Sequence, residues 1–272
     1  MPDEMSRQQK RHFERELVKS GRTLMATGIP THPKREEMRD VAMVLKVKLT
    51  ERDNAARASE AAGIAQAMNE AAHKHRPNRV AIACRKGCAY CCHNFVAAAP
   101  PEIFRLANAV RQGRAAGLTQ HAVRDRCAPL NGLGPEQRLG AKLPCPLLVD
   151  GACSVYAERP LVCRQATSLL LDPCIGEFEG RSGDSERIEV SSIHLAHSSN
   201  AHVALLGALL AVGLPIEAFE LSAGLDIALA DPESERRWLA GDDVFKALPR
   251  NVKRATGVDM VARKIADDLT SA

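Results

Sequence analysis

Four thiols crowded into nine residues constrain this chain more than any other feature of its sequence. Cys84, Cys88, Cys91 and Cys92 spell C-x3-C-x2-C-C. Thiolates three or four residues apart in a turn converge on one centre, which is why cysteine ligands come at short spacings. Adjacent cysteines are splayed by the backbone between them and do not easily share a single tetrahedral ion. Cys91 and Cys92 therefore point to a polynuclear cluster, to two neighbouring metals, or to one ligand beside a spare thiol. A second group follows at Cys145, Cys153 and Cys163, and Cys174 in Leu171-Asp-Pro-Cys is a candidate eighth thiol. Cys127 stands apart and reads as structural.

The metal reading depends on the redox compartment. The N-terminal stretch MPDEMSRQQKRHFEREL is charged throughout and has no apolar secretory core. A cytoplasmic location is expected, and in a reducing cytoplasm nine cysteines favour metal binding or thiol chemistry over disulfides. No membrane span is expected, since no apolar run approaches the ~18 to 20 residues a bilayer requires. The longest, residues 201–216, contains His202 and is cut by Gly207, Gly213 and Pro215. The net charge of +4 comes from interleaved signs, and with 3% aromatics there is little to stack on bases, so no nucleic-acid partner is expected. The same scarcity leaves a core of Ala, Leu, Val and Ile, which favours closely packed helices.

Three regions are expected: a helical N-terminal arm over 1–78, a cysteine-cluster metal-binding region over 79–180, and a helical C-terminal region over 181–272. In the arm, residues 6–20 suit a helix ended by Gly21, and residues 35–48 repeat Met38, Val41, Ala42, Leu45 and Leu49 at helical spacing. Thr50-Glu-Arg-Asp53 resembles a capping box opening an Ala-rich helix to about residue 73. The arm carries no cysteine, and packing or a protein partner is its expected role. Residues 79–84 form a β-like run, a helix packs Ile103, Leu106 and Val110, and residues 132–140 look loop-like.

Residues 146–156 read as a β-hairpin turning at Asp150-Gly151, a dipeptide suited to the two positive φ angles of a type I′ turn. In that hairpin Cys153 faces Leu148, so Cys145 lies before the ladder, between Pro144 and Pro146. Pro160 sits where a helix starts, which puts Cys163 in its first turn, where the helix dipole favours a thiolate. Arg85, Lys86, Arg159 and Arg164 flank the cysteines and offset thiolate charge. Beyond residue 199 the chain reads as helical, with Pro215 and Pro232 at first helical positions. His93 reads as a neighbour of the site rather than a ligand. Two of His194, His197 and His202 share a helix face, and His73 and His75 read as a solvated helix end.

The blocks Cys88-Ala-Tyr-Cys91-Cys92 and Cys145-Pro-Leu-Leu…Gly151-x-Cys153-Ser-Val-Tyr156-x-x-Arg159-Pro160-x-x-Cys163-Arg164 resemble the YkgJ-type cysteine-cluster family, a zinc- or iron-chelating domain, over roughly residues 80–180. The first gap here is three residues, against a usual two. The motif is also similar to that of the flagellin lysine methylase family, which is thought to carry an iron–sulfur cluster. The resemblance implies metal chelation without implying a defined reaction; the ligands expected are the motif cysteines Cys88, Cys91, Cys92, Cys145, Cys153 and Cys163, with Cys84 and Cys174 added from their positions beside them. The cofactor it implies is an iron–sulfur cluster, foremost [4Fe–4S], or zinc.

Enzymatic rivals are an iron–sulfur protein-modifying activity of the lysine-methylase type and radical SAM chemistry. Cys84-x3-Cys88-x-Tyr90-Cys91 also fits the radical SAM signature C-x3-C-x-aromatic-C. Those enzymes continue as alternating strands and helices, whereas this chain reads as one hairpin followed by helices. There is no P-loop and no glycine-rich nucleotide fingerprint. The expected fold is mainly α: a helical domain with a short β-hairpin and irregular Cys-rich loops around a metal site.

Overall fold

The computed structural model describes residues 35–75, 81–165, 167–181, 188–250 and 257–271. The helix expected over residues 6–20 lies outside them. The fold is mainly α. Helix α1 (Arg35–Leu49) buries Met38, Ala42, Leu45 and Leu49 along one stripe, as the spacing predicts. Helix α2 (Arg57–His75) lays Ala58, Ala61, Ala62 and Ala65 fully inside, and these short side chains let its neighbours approach closely. It does not open at Thr50. Residues 50–53 form a turn outside the helix, and the Asn54 side chain accepts from the Ala56 N–H at 2.9 Å just before α2 begins.

Helix α3 (Pro100–Arg111) starts on two prolines that need no amide partner there. Helix α4 spans Gln120–Cys127, and α5 spans Pro135–Ala141. The second of these occupies the stretch expected to be a loop. Pro135 supplies its first turn and the Gln137 side chain accepts from the Gly134 N–H at 2.8 Å, which outweighs the local glycines. Helices α6 (Leu161–Gln165) and α7 (Asp172–Glu179) carry cysteines. The long α8 (Ser192–Ala211) is buried nearly all round, at Leu195, Val203, Ala204, Leu205, Leu206, Ala208 and Leu209 among others. A helix apolar on every side has to be central, and α8 packs against α1, α2, α6 and α11 (Val258–Thr270). No described helix is long and apolar enough to cross a membrane.

Helices α9 (Leu221–Ala230) and α10 (Ser234–Leu239) complete the described set. Pro215 and Pro232 precede these helices rather than opening them, because the chain is still extended or turning at both. Two antiparallel strand pairs occur among the described residues. Strand β1 (Ala97–Ala98) joins β4 (Phe219–Glu220), and β2 (Leu148–Val149) joins β3 (Ala152–Cys153). Residues 81–84 form no strand, while residues 79 and 80 lie outside the described set. Ala83 instead donates its N–H to the Ser168 carbonyl at 2.9 Å.

His73 is not a solvated end. Its ring lies 4.3 Å from that of His194 and 4.7 Å from that of His197, so the close of α2 meets the start of α8 through imidazoles. Burial first, then His194, His197 and Arg164, push its pKa from 6.5 down to about 4. The folded state thus favours the neutral ring. That stabilisation is fully present above the unfolded pKa of 6.5 and is lost as pH falls toward 4. Thermal midpoints measured from pH 7 to pH 4 should fall more steeply in the wild type than in His73→Gln.

Candidate metal centre

The first block is two tight turns in series. Cys88 N–H donates to the Arg85 carbonyl at 3.0 Å, and Gly87 closes the turn at φ +92°, where a side chain is disfavoured. A 3₁₀ turn, Tyr90–His93, then carries Cys91 and Cys92. Its exit runs into β1, so the β1–β4 pair fixes where the turn ends.

The second block is built on the hairpin the sequence indicates. Leu148 pairs with Cys153, and Asp150 and Gly151 take φ +47° and +72°, as a type I′ turn requires. Cys145 lies before the ladder and donates its N–H to the Cys92 carbonyl at 2.7 Å, joining the two blocks through their backbones. Cys163 falls in the first turn of α6, with its N–H on the Pro160 carbonyl at 3.0 Å. Cys174 falls in the first turn of α7. That helix is held on the 3₁₀ turn by Phe178, whose ring lies 5.6 Å from Tyr90 and 4.7 Å from His93, with the Lys142 ammonium 5.4 Å above it.

The cysteines of the two blocks and Cys174 fall within electrostatic reach of one another as two overlapping sets. Cys84 feels Cys88, Cys91 and Cys174, and Cys174 in turn feels Cys88 and Cys91. Cys92 feels Cys91, Cys145 and Cys163, while Cys163 feels Cys145, Cys91 and Cys153. The vicinal pair is therefore the junction: Cys91 acts on Cys84 and Cys174 as well as on Cys92 and Cys163, while Cys92 is acted on by Cys145 and Cys163. As placed, no three His, Cys, Asp or Glu side chains among the described residues stand close enough to hold a metal ion. Cys127 is fully buried in the apolar core, consistent with a structural residue.

Where burial acts on these thiols it disfavours the charged form. Burial raises Cys84, Cys153 and Cys174, lifts Cys145 to about 12 and pushes Cys163 well above the usual thiol range. Cys91 is the exception at about 7, because the Cys92 thiol donates a hydrogen bond to it; Cys92 is correspondingly raised. Cys91 is also the one exposed cysteine. Backbone N–H groups already point at several sulfurs: Ser168 at Cys84 (3.2 Å), Leu147 at Cys145 and Val155 at Cys153. Such donors favour the thiolate that a metal needs. Soft sulfur ligands suit zinc, iron and iron–sulfur clusters alike, so the donor set fits the metals named in the sequence expectation.

Residues 83–187 match a family described as CxxCxxCC, "Putative zinc- or iron-chelating domain". Over these residues the chain is similar to that family. No curated protein and no solved structure matches the chain. The CxxCxxCC segment includes both blocks and Cys174, together with helices α3 to α7, so the residues that sort the thiols belong to the domain itself.

Three residues that shape this CxxCxxCC domain escape a reading of the sequence. Arg138 is 1% exposed and donates to the Leu143 carbonyl at 2.8 Å, with a longer 3.5 Å contact to the Asn94 carbonyl. Nothing in a stretch that reads as loop marks it. Phe178 lies four residues after Cys174, a helical spacing that is visible only once α7 is known. Glu102 is fully buried; its carboxylate accepts from Leu161 N–H at 2.7 Å and Ala99 N–H at 3.3 Å, tying the start of α6 to α3. Glu102→Ala strands the buried Leu161 amide, which should cost about 1–3 kcal/mol in denaturant unfolding and loosen the placement of Cys163. The arginines named from the sequence are partly recovered. Arg159 lowers Cys91, Cys153 and Cys163, and Arg164 lowers Cys153.

Proposed function

We propose that the chain is a metalloprotein that binds iron as iron–sulfur centres through Cys84, Cys88, Cys91 and Cys174 in one group and Cys92, Cys145, Cys153 and Cys163 in another. The observation that carries this reading is the division of the vicinal pair. Adjacent cysteines that serve one small ion badly are natural ligands when each faces its own set of thiols. The spread of the thiols supports clusters over single ions. Four sulfurs on one zinc, each at about 2.3 Å, stand only about 3.8 Å apart. No three of these side chains stand close enough to hold a single ion, which favours a larger polynuclear body.

Bound iron–sulfur centres supply electron transfer or Lewis acidity. The chain's own residues pack Cys145 and Cys153 against the core, lower the cost of thiolates there through Arg138, Arg159 and backbone N–H groups, and leave Cys91 open to solvent. Among the described residues the strands form only antiparallel two-stranded pairs, which weighs against the alternating strand–helix framework of radical SAM enzymes. The partner expected at the N-terminal helices has apolar surface available, since Met43, Val44 and Val47 of α1 are exposed.

The test is anaerobic purification followed by a visible spectrum and analysis of iron, sulfide and zinc. A brown protein absorbing near about 400 nm with stoichiometric iron and sulfide is expected. Colourless protein holding zinc under the same conditions overturns the iron reading. Protein holding neither metal overturns the metal site altogether.

A further inference from the structure

The two thiol groups sit in different surroundings. Cys145 and Cys153 pack against the hydrophobic core, beside Leu147, Val155 and Leu161, which are at most 2% exposed. None of Cys84, Cys88, Cys91 and Cys174 packs against that core, and Cys91 is exposed, whereas two of the four thiols of the other group do. Their rim is open: Arg85, Lys86 and Gly87 are exposed, and so are the apolar Ile82 and Leu170.

The two groups are also fastened differently. Three polar links cross between the stretch around Cys92 and the stretch around Cys145. One is the Cys145 N–H to the Cys92 carbonyl, and the other two run through Arg138, whose guanidinium reaches the carbonyls of Leu143 and Asn94. Each of those carbonyls is two residues from a cysteine. Glu102 adds a fourth tie, to the helix of Cys163. The outer group relies on the Ser168 N–H at the Cys84 sulfur and on the edge contacts of Phe178 that hold Cys174 nearby.

We propose that the groups have different duties: the inner group holds its metal as a permanent part of the fold, with Arg138 as the positioning residue that sets Cys92 against Cys145, and the outer group holds a metal or cluster that exchanges with the surroundings. This rests on the two-group reading above. A soft-metal chelator or an acceptor protein bearing thiols reaches the outer group at Cys91 without opening the core. To extract metal from the inner group it has to part segments that the Cys145–Cys92 backbone bond and the Arg138 ties hold together. Ties of this kind, between ligand-bearing segments and buried neighbours, typically change metal affinity about 10- to 100-fold when removed.

The test is an EDTA challenge of the anaerobically purified full chain, with remaining metal followed by native mass spectrometry. Two phases are expected, one fast and one slow. Cys174→Ser should remove the fast phase and leave the slow one, whereas Arg138→Met should speed the slow phase about 10- to 100-fold and leave the fast one. Leu45→Ala is the control for general destabilisation: it is fully buried on α1, away from both groups, and its ratio of the two rates should stay that of the wild type. A single phase in the wild type, loss of the slow phase in Cys174→Ser, or an unchanged slow phase in Arg138→Met overturns the proposal. A purified protein that carries no metal fails earlier, at metal analysis, and that result overturns the two-group reading itself.

Discussion

Cys163→Ser is expected to lose the metal of the inner group and much of the protein's thermal stability with it. The Cys163 thiol feels Cys145, Cys91 and Cys153, and it is held in place by the first turn of α6 and by Glu102, which accepts from the Leu161 amide two residues earlier. A serine hydroxyl in that place is a harder, less acidic ligand and leaves the remaining thiols without their fourth partner. Metal that binds only the folded state stabilises it by mass action, about 4 kcal/mol when free metal stands a thousandfold above the dissociation constant. Wild-type protein should therefore melt at a lower temperature after prolonged EDTA treatment, while Cys163→Ser should melt low with or without it. Cys174→Ser should leave the thermal midpoint nearly unchanged. Unaltered metal content in Cys163→Ser would sink the assignment of this group.

Phe104→Ala should be the most damaging single change away from the thiols. Phe104 is 1% exposed and its ring lies 5.7 Å from Trp238 and 5.6 Å from Phe245, which in turn lies 4.8 Å from Phe219. With so few aromatic residues in the chain, four of them in one cluster concentrate much of the large apolar burial in one place. Truncating a buried phenylalanine typically costs about 3–5 kcal/mol. The cluster also reaches the metal site indirectly. Phe219 belongs to β4, which pairs with the β1 strand that follows the Cys91–Cys92 turn. Urea unfolding should show the stability loss directly. A cost below about 1 kcal/mol would mean that the cluster is not the keystone its burial indicates.

Much of this was legible in the residues, and the reasons are local ones. The hairpin followed from Asp150-Gly151, because positive φ at two successive positions is a property of those residues and needs no neighbours. The start of α6 at Pro160 and the stripe on α1 followed in the same way from fixed φ and from helical spacing. The capping box at Thr50 and the loop over residues 132–140 failed for the converse reason. In both places weak local preferences competed, and contacts made elsewhere in the fold chose between them. His73 failed too, since its partners lie about 120 residues away on α8.

The vicinal pair shows the division most clearly. From the sequence alone, Cys91 and Cys92 excluded an easy single-ion site, because backbone geometry splays adjacent side chains whatever surrounds them. Which thiols each of them joins was beyond the sequence. That choice rests on the Cys145 amide reaching the Cys92 carbonyl, on Arg138 bridging both blocks from a helix that reads as loop, and on Phe178 seating Cys174 beside the first block. Each is a contact between segments distant in sequence, whose energy exists only once the core has closed. The residues themselves determined that soft sulfur donors come in two blocks; the tertiary structure decided which segments those blocks lie against and left Cys91 exposed.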